Sequence, residues 1–431
     1  MECTKDFLLS FAGCTGFVQY SRRPEHSLLN SVKLKRFKNK RKIMSEDVFT
    51  VLEELQQQSP EAVLEQLIET LTEQKNYHRL FDALLMKKKQ SLGIELLQPT
   101  SFDTVPEAHK KEFEQAYIDA AREIGALFLE EKQYSDAWLY YQTIQEPELV
   151  ASALNKINPR TVPEDKVEEL IQVCVYEGAN PEKGFEIMLN VNGICNTITV
   201  FDQMNTQLKP ESRQQVARLL VDQLYGDLVQ SLQYQVQQKV PMAQPTDNLR
   251  ELMAGRDWMF EGGSYHIDVS HLNSVVRFAR LLSDDDSNLP KVIELCEYGS
   301  RLDEQFQYPG ETPFEDFYPA HLHFFKALIG DENDRNLGIA YFEKKLELEP
   351  DADDKQMIAY VLIDLLTRLG QNDQAIELAE THLSQFEDPN TFSFTDLCRE
   401  TQRLDILQKV ARGKGDLVTF AGSLLDAQGK E

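Results

Sequence analysis

The apolar residues of this chain recur at three- and four-residue spacing over most of its length, which is the period of an amphipathic α-helix. In the first run, Val48, Val51 and Leu55 share one face. Ser59 followed by Pro60 is a typical helix start, with serine as the N-cap and proline in the first turn. The pattern predicts an all-α protein, with three helices within 46–97 and others near 106–131, 134–145, 147–156, 163–177, 181–191, 197–208, 210–238, 247–254, 270–283, 289–306, 315–330, 334–348, 353–369, 372–386, 393–400 and 403–411.

Two segments differ in composition from the rest of the chain, although no convincing run of alternating strand residues appears. The stretch from Gly193 to Phe201 has a strand-like composition over a short span. The stretch 240–247 holds Pro241 and Pro245 among small polar residues and is the best candidate for an internal boundary. It predicts an N-terminal helical repeat region at 44–240 and a C-terminal one at 241–431, either as one curved solenoid or as two halves hinged near these prolines.

One helix-turn-helix segment carries a recognisable order of small and bulky residues. Gly125 and Ala137 occupy the positions where paired helices touch, and Phe128, Tyr134 and Tyr141 occupy the positions that fill the space between them. This cadence resembles the tetratricopeptide repeat. The resemblance implies a right-handed superhelical solenoid of antiparallel helix pairs.

Further copies lie near residues 319–389. Leu362, Gly370 and Ala375 match the first-helix leucine, the turn glycine and the second-helix alanine, and Gly338 and Phe342 belong to the copy before them. Two to four copies are recognisable, covering about a third of the chain, and the rest is helical but off-pattern. The resemblance therefore describes a degenerate repeat protein.

The resemblance also implies where a partner would bind, which is the concave side formed by the first helices. Arg122, Tyr360 and Asp364 are the candidate partner-binding residues by this analogy. Family members that grip a C-terminal carboxylate use a lysine or arginine and an asparagine on successive first helices. Here the corresponding places pair Arg122 with Ala126 and Tyr360 with Asp364, so that binding mode finds no support.

The segment from Arg256 to His266 is the least ordinary part of the chain, because it joins Trp258 to a glycine pair and a histidine. A recognition loop has this composition, which makes Trp258 a fourth candidate partner-binding residue. A loop folded back onto the helices has it too, and this interpretation is favoured because aromatic side chains usually bury themselves.

Charge limits the range of partners. The net charge of −26 opposes the phosphate backbone that dominates nucleic-acid affinity, so we expect a protein or peptide partner with a basic or neutral surface. Residues 1–43 are different, with ten basic and three acidic residues and a net charge of +7. We expect either a disordered basic tail or an over-extended start before Met44.

The cysteines and the hydropathy indicate a cytoplasmic protein. The six cysteines are scattered without a CxxC pair, which suits reduced thiols and gives no zinc or disulfide framework. No run of about 18 apolar residues is present, so we expect no membrane span.

Four histidines provide the main alternative to a partner-binding protein, which is a helical enzyme or metal-binding protein. His266 and His271 are five residues apart, and His321 and His323 are two apart. On a helix these spacings turn the rings about 140° and 160° apart, so neither pair forms a helical metal clip. A helical enzyme or metal-binding protein would need these four histidines and Trp258 to meet from distant segments.

No phosphate-binding loop or nucleophile elbow is present either. The sequence therefore predicts a non-enzymatic interaction scaffold without cofactor or metal. A structural, oligomerising component is the second alternative.

Overall fold

The computed structural model describes residues 48–307, 309–384 and 392–428. Their regular structure is helical, without a β-strand, which confirms the predicted all-α class for this part of the chain. The predicted basic tail at 1–43 lies outside the described residues. None of the described helices is both long and apolar enough to cross a membrane.

The described chain forms two compact units, which divide after Gln145. The first contains α1 (48–56), α2 (Pro60–Glu73), α3 (Tyr77–Ser91), α4 (Lys110–Glu130) and α5 (Tyr134–Thr143). The second contains α6 (Glu148–Asn155), α7 (Glu164–Ile171), α8 (Pro181–Met204), α9 (Pro210–Lys239), α10 (Leu249–Met253), α11 (Val269–Phe278), α12 (Leu289–Gly299), α13 (Phe317–Ile329), α14 (Glu332–Leu348), α15 (Ala352–Arg368), α16 (Asn372–His382), α17 (Phe394–Glu400), α18 (Leu404–Lys414) and α19 (Leu417–Gln428). A π-helical turn covers Gln172–Tyr176, and short 3₁₀ turns cover Glu107–His109, Pro159–Thr161, Asn205–Gln207, Asp257–Met259, Glu261–Gly263, Ala279–Leu281 and Glu304–Phe306.

The helix starts follow from capping chemistry. The Ser59 hydroxyl accepts a hydrogen bond from the backbone N–H of Ala62 at 3.1 Å, as predicted for the start of α2. Asp351 caps α15 in the same way, since its carboxylate accepts from the backbone N–H groups of Asp353 and Asp354. Each cap satisfies donors that the first helical turn leaves without a partner.

Tight left-handed turns reverse the chain between paired helices. Lys132 between α4 and α5 has φ +58°, and Gly370 between α15 and α16 has φ +73°. After each turn a backbone N–H donates a hydrogen bond back to the preceding helix, from Gln133 to the Phe128 carbonyl and from Gln371 to the Leu366 carbonyl. This is the Schellman arrangement. It lets sequential helices pack side by side.

The first unit has an aromatic core between its helices. The rings of Tyr77 and Phe128 meet edge to face at 5.2 Å, and Phe81 meets Tyr140 at 5.1 Å. Lys89 is fully buried, and its Nζ donates to the carbonyls of Gln98 and Ser101 and the hydroxyl of Thr104, which ties the loop before α4 to α3.

In the second unit, α9 packs against α8, α10, α11 and α12. A buried carboxylate, Glu294 on α12, accepts hydrogen bonds from the Tyr225 hydroxyl, the Leu249 N–H and the Asn248 amide at 2.6, 3.0 and 3.1 Å. These bonds join α9, α10 and α12 across the 240–247 segment. The predicted boundary at this segment stays a prediction.

From α12 onward each helix packs against the next one along the chain up to α16. This order of contacts agrees with stacked helix pairs. The predicted superhelical solenoid itself stays a prediction.

The strand-like segment 193–201 is helical. It belongs to α8, which bends at Gly193, where φ is +81°. Ile198 and Phe201 are buried after the bend, and the Thr197 hydroxyl bonds back to the Gly193 carbonyl at 2.9 Å. Tertiary burial of these side chains overrides their local preference for a strand.

Candidate partner-binding surfaces

A cleft of about 540 Å³ lies among α14, α15 and α16 in the second unit. Its floor is formed by the buried leucines Leu346, Leu362 and Leu366, together with the half-buried Leu378. Leu378 of α16 lies beside Leu362 and Leu366 of α15 because the left-handed turn at Gly370 lays α16 back along α15. We call this cleft, which is lined by Glu343, Leu346, Glu347, Lys355, Leu362, Leu366, Gln374, Glu377, Leu378, Thr381 and His382, the acidic cleft.

The rim of the acidic cleft is negatively charged. Glu343, Glu347 and Glu377 are exposed carboxylates there, and Lys355 is the one lysine in the lining. Burial lowers the pKa of His382, and the nearby charge of Lys355 lowers it further, so this histidine is neutral at pH 7. Three acids against one base leave a net charge of −2 at the lining.

Two predicted partner-binding residues, Tyr360 and Asp364, lie on the other side of α15. Asp364 is two residues from both Leu362 and Leu366, so helical geometry turns it away from the cleft floor. Its carboxylate lies 3.8 Å from the Arg368 guanidinium, and its side chain is 45% exposed. Burial against neighbouring helices nevertheless raises its pKa, against the opposing effects of Arg368 and Arg280.

Arg122, the third predicted residue, belongs to the first unit. It lies on α4 and pairs with Asp119 one helical turn earlier, at 3.1 Å. Its backbone carbonyl accepts the Tyr141 hydroxyl at 3.3 Å, which joins α4 to α5. The structure places Arg122 and the pair of Tyr360 and Asp364 in different units.

Trp258 lies half-buried within the 256–266 segment, and the Lys239 ammonium lies 4.0 Å from its ring centroid. Met259 beside it is fully buried. The His266 ring reaches Tyr298 on α12 at 3.1 Å and Gln235 on α9 at 2.7 Å. These contacts fasten the segment to α9 and α12, which favours the folded-back interpretation over a free recognition loop.

The four histidines of the alternative hypothesis have separate surroundings. His321 is buried against the rings of Phe314 and Phe317, while His323 stacks on Tyr341 at 4.5 Å. His271 lies in the first turn of α11. Within the described residues, no hydrogen bond or ring contact joins two of the four, and no group of three or more His, Cys, Asp and Glu side chains is placed to hold a metal ion.

Comparison of the chain with known protein families, with curated proteins and with solved structures finds no match.

The acidic cleft was not predicted from the sequence, although part of its signal is visible there. Glu343 and Glu347 are four residues apart on one helix and therefore share a face. The contribution of Glu377 depends on how α16 folds back, which the spacing alone does not give.

Proposed function

We propose that this protein is a non-enzymatic interaction scaffold, and that the acidic cleft is where it holds a segment of a partner protein. The observation that carries the proposal is the combination of an apolar leucine floor with a rim of exposed carboxylates. Binding sites for peptides commonly place apolar contacts at the centre and charges at the rim.

The occupant that fits this surface is a basic amphipathic helix. Its apolar side chains would contact Leu378 and the floor, and its lysines or arginines would face Glu343, Glu347 and Glu377. Complementary charge of this kind mainly accelerates association and selects the partner. A partner with an acidic face is disfavoured by the same carboxylates.

The finer features of the fold belong to this proposal as well. We keep the right-handed superhelical stacking implied by the tetratricopeptide resemblance for α13 to α16, since these helices pack in sequential order. We also keep the cytoplasmic location, because Cys174, Cys195, Cys296 and Cys398 are unpaired thiols, as is typical of a reducing compartment.

A peptide-binding assay tests the proposal. The probe is a fluorescein-labelled helical peptide with leucines on one face and lysines on the other. The control peptide carries glutamates in place of the lysines. Fluorescence anisotropy with the full chain is expected to show saturable binding of the lysine peptide only, weakening as salt rises.

Neutralising the rim is expected to weaken that binding. The variant Glu343→Gln, Glu347→Gln, Glu377→Gln removes three exposed charges worth about 0.5 kcal/mol each, which is about a tenfold increase in Kd. A matched control replaces three exposed glutamates elsewhere in the second unit, Glu164, Glu168 and Glu211, and has the same net charge. Equal losses in both variants, or equal binding of both peptides, would overturn the proposal.

A further inference from the structure

One arginine of the second unit has a guanidinium whose hydrogen-bond donors meet no acceptor among the described residues. Arg280 follows α11, is half-buried, and its guanidinium makes no hydrogen bond or ion pair within the described part of the chain. Its guanidinium carbon lies 4.7 Å from the centroid of the Phe314 ring. A guanidinium has five donors in a rigid fork, so Arg280 is a cation with its donors still available.

The arginines around it are already engaged. Arg277 pairs with Asp202 at 2.8 Å. Arg368 pairs with Asp284 and donates to the carbonyls of Arg280 and Leu282 at 3.1 and 2.6 Å. Each of these two arginines therefore uses its donors within the fold, whereas Arg280 contacts the fold through the face of its guanidinium, on the Phe314 ring.

The aromatic platform under Arg280 is rigid. The Phe314 ring also stacks on the His321 ring at 4.1 Å, and His321 is 1% exposed, with Nδ1 at 2.8 Å from the Phe317 carbonyl. Burial and the charge of Arg280 lower the pKa of His321 to about 3, so the imidazole is neutral at pH 7. The guanidinium is thus held over a fixed, uncharged surface.

Asp364 lies near Arg280 without pairing with it. The two charges interact electrostatically, but the carboxylate makes its contact with Arg368 instead. Burial lowers the pKa of Arg280, and the nearby Asp364 and Tyr360 oppose this shift. An incoming anion would accept hydrogen bonds from the donors of this half-exposed guanidinium.

We propose that Arg280 is the anchor of an oxyanion site and takes a carboxylate group, such as an acidic side chain of a bound protein. A carboxylate matches the guanidinium fork with two parallel hydrogen bonds. It also carries a single negative charge, which Asp364 nearby opposes less than it opposes the larger charge of a phosphate.

This site is separate from the acidic cleft. Arg280 interacts with the face of α15 that carries Tyr360 and Asp364, whereas the cleft uses the face that carries Leu362 and Leu366. The triple glutamine variant of the cleft rim is therefore expected to keep the oxyanion site, so the two proposals can fail independently.

Arginine side-chain NMR tests the site directly on the full chain. With arginine labelled selectively with ¹⁵N, the Nε–Hε resonance missing from Arg280→Lys is that of Arg280. Titration with sodium acetate at constant ionic strength is expected to shift this resonance saturably, and inorganic phosphate is expected to bind at least fivefold more weakly. The resonance of Arg399, an exposed arginine paired with Asp396, is the internal control.

The outcomes separate clearly. No saturable shift with acetate, or the same shift at Arg399, would overturn the site, and phosphate binding as tight as acetate would overturn the choice of carboxylate. In Asp364→Asn the preference for acetate over phosphate is expected to shrink at least threefold, and an unchanged ratio would contradict the role given to Asp364. Arg280→Gln is expected to lower the melting temperature only slightly, through the loss of its contact with the Phe314 ring, and a large drop would instead indicate a structural role.

Discussion

Glu294 is the buried acceptor that joins α9, α10 and α12, and replacing it with leucine is expected to destabilise the second unit by about 3 kcal/mol. Leucine has a similar volume, so the change removes the hydrogen bonds without opening a large cavity. Three donors lose their acceptor, from Tyr225, Asn248 and Leu249.

The magnitude follows from what each donor can do afterwards. The Leu249 N–H is fully buried and loses about 2 kcal/mol, since its contact to the Tyr225 oxygen is long at 3.3 Å. Tyr225 can turn its hydroxyl to the Asp247 carbonyl at 3.0 Å, and Asn248 is partly exposed to water, so we assign about 0.5 kcal/mol to each. Glu294→Gln keeps one acceptor oxygen and is expected to cost about half as much.

Urea unfolding followed by tryptophan fluorescence measures this loss. The two tryptophans lie in different units, Trp138 in the first and Trp258 in the second. A Trp138→Phe background therefore makes Trp258 the reporter of the second unit. The midpoint is expected to fall while the slope of the transition stays the same.

The control is Glu168→Leu, which replaces an exposed glutamate on α7. It is expected to change the free energy of unfolding by less than about 0.5 kcal/mol. If Glu294→Leu costs no more than this control, the reasoning that buried donors need Glu294 is refuted.

Four other substitutions have definite expected results. Gly125→Ala places a Cβ 2.7 Å from the Tyr141 ring and is expected to lower the free energy of unfolding by about 1–3 kcal/mol. Gly226→Ala lies in open space within α9 and is expected to raise it by about 0.5–1 kcal/mol. Thermal melts that rank the two variants the other way would contradict both expectations. The pKa of His321 is about 3 in the folded protein and 6.5 as its ordinary value, so the unfolded state binds the extra proton between these limits and stability falls as pH falls through that window. Between pH 6.5 and 5, the free energy of unfolding of His321→Phe is expected to fall by about 2 kcal/mol less than that of the wild type, as measured by urea titrations. Equal losses in the two proteins would refute the lowered pKa of His321. Lys89→Met leaves the carbonyls of Gln98 and Ser101 without their buried donor. It is expected to lower the free energy of unfolding by about 2–4 kcal/mol and to speed hydrogen exchange in the loop before α4. Unchanged exchange in this loop would show that Lys89 does not hold it in place.

Much of the helical class could be predicted from local patterns, because capping and periodicity act over a few residues. Ser59 caps α2 as expected. The helix predicted at 289–306 ends at Gly299 instead, where α12 meets Tyr318 of α13 so closely that a Cβ at Gly299 would lie 2.2 Å from that ring. Helix α19 was not predicted from the sequence; it follows directly on Gly415, whose left-handed backbone ends α18.

The candidate sites were less predictable because they depend on tertiary packing. Tyr360 and Asp364 were selected by resemblance, and their role stays a prediction. Arg280 has no distinguishing local pattern. Its importance lies in donors that meet no acceptor in the part of the chain that the structure describes, because Arg277 and Arg368 take the nearby acceptors. Composition predicted an acidic surface, but not that three carboxylates border one leucine-floored cleft.

The packing of α9 against α11 and α12 has a consequence for the order of refolding. The bonds that hold it there join residues far apart along the chain, since Asp286 is 68 positions after Arg218 and Glu294 is 69 positions after Tyr225. Helices α13 to α16 instead meet their immediate neighbours, which closes short loops at low entropic cost. After dilution from denaturant, amides of α13–α16 should become protected from hydrogen exchange first. Those of α9 should become protected only after α12 packs against α9 again.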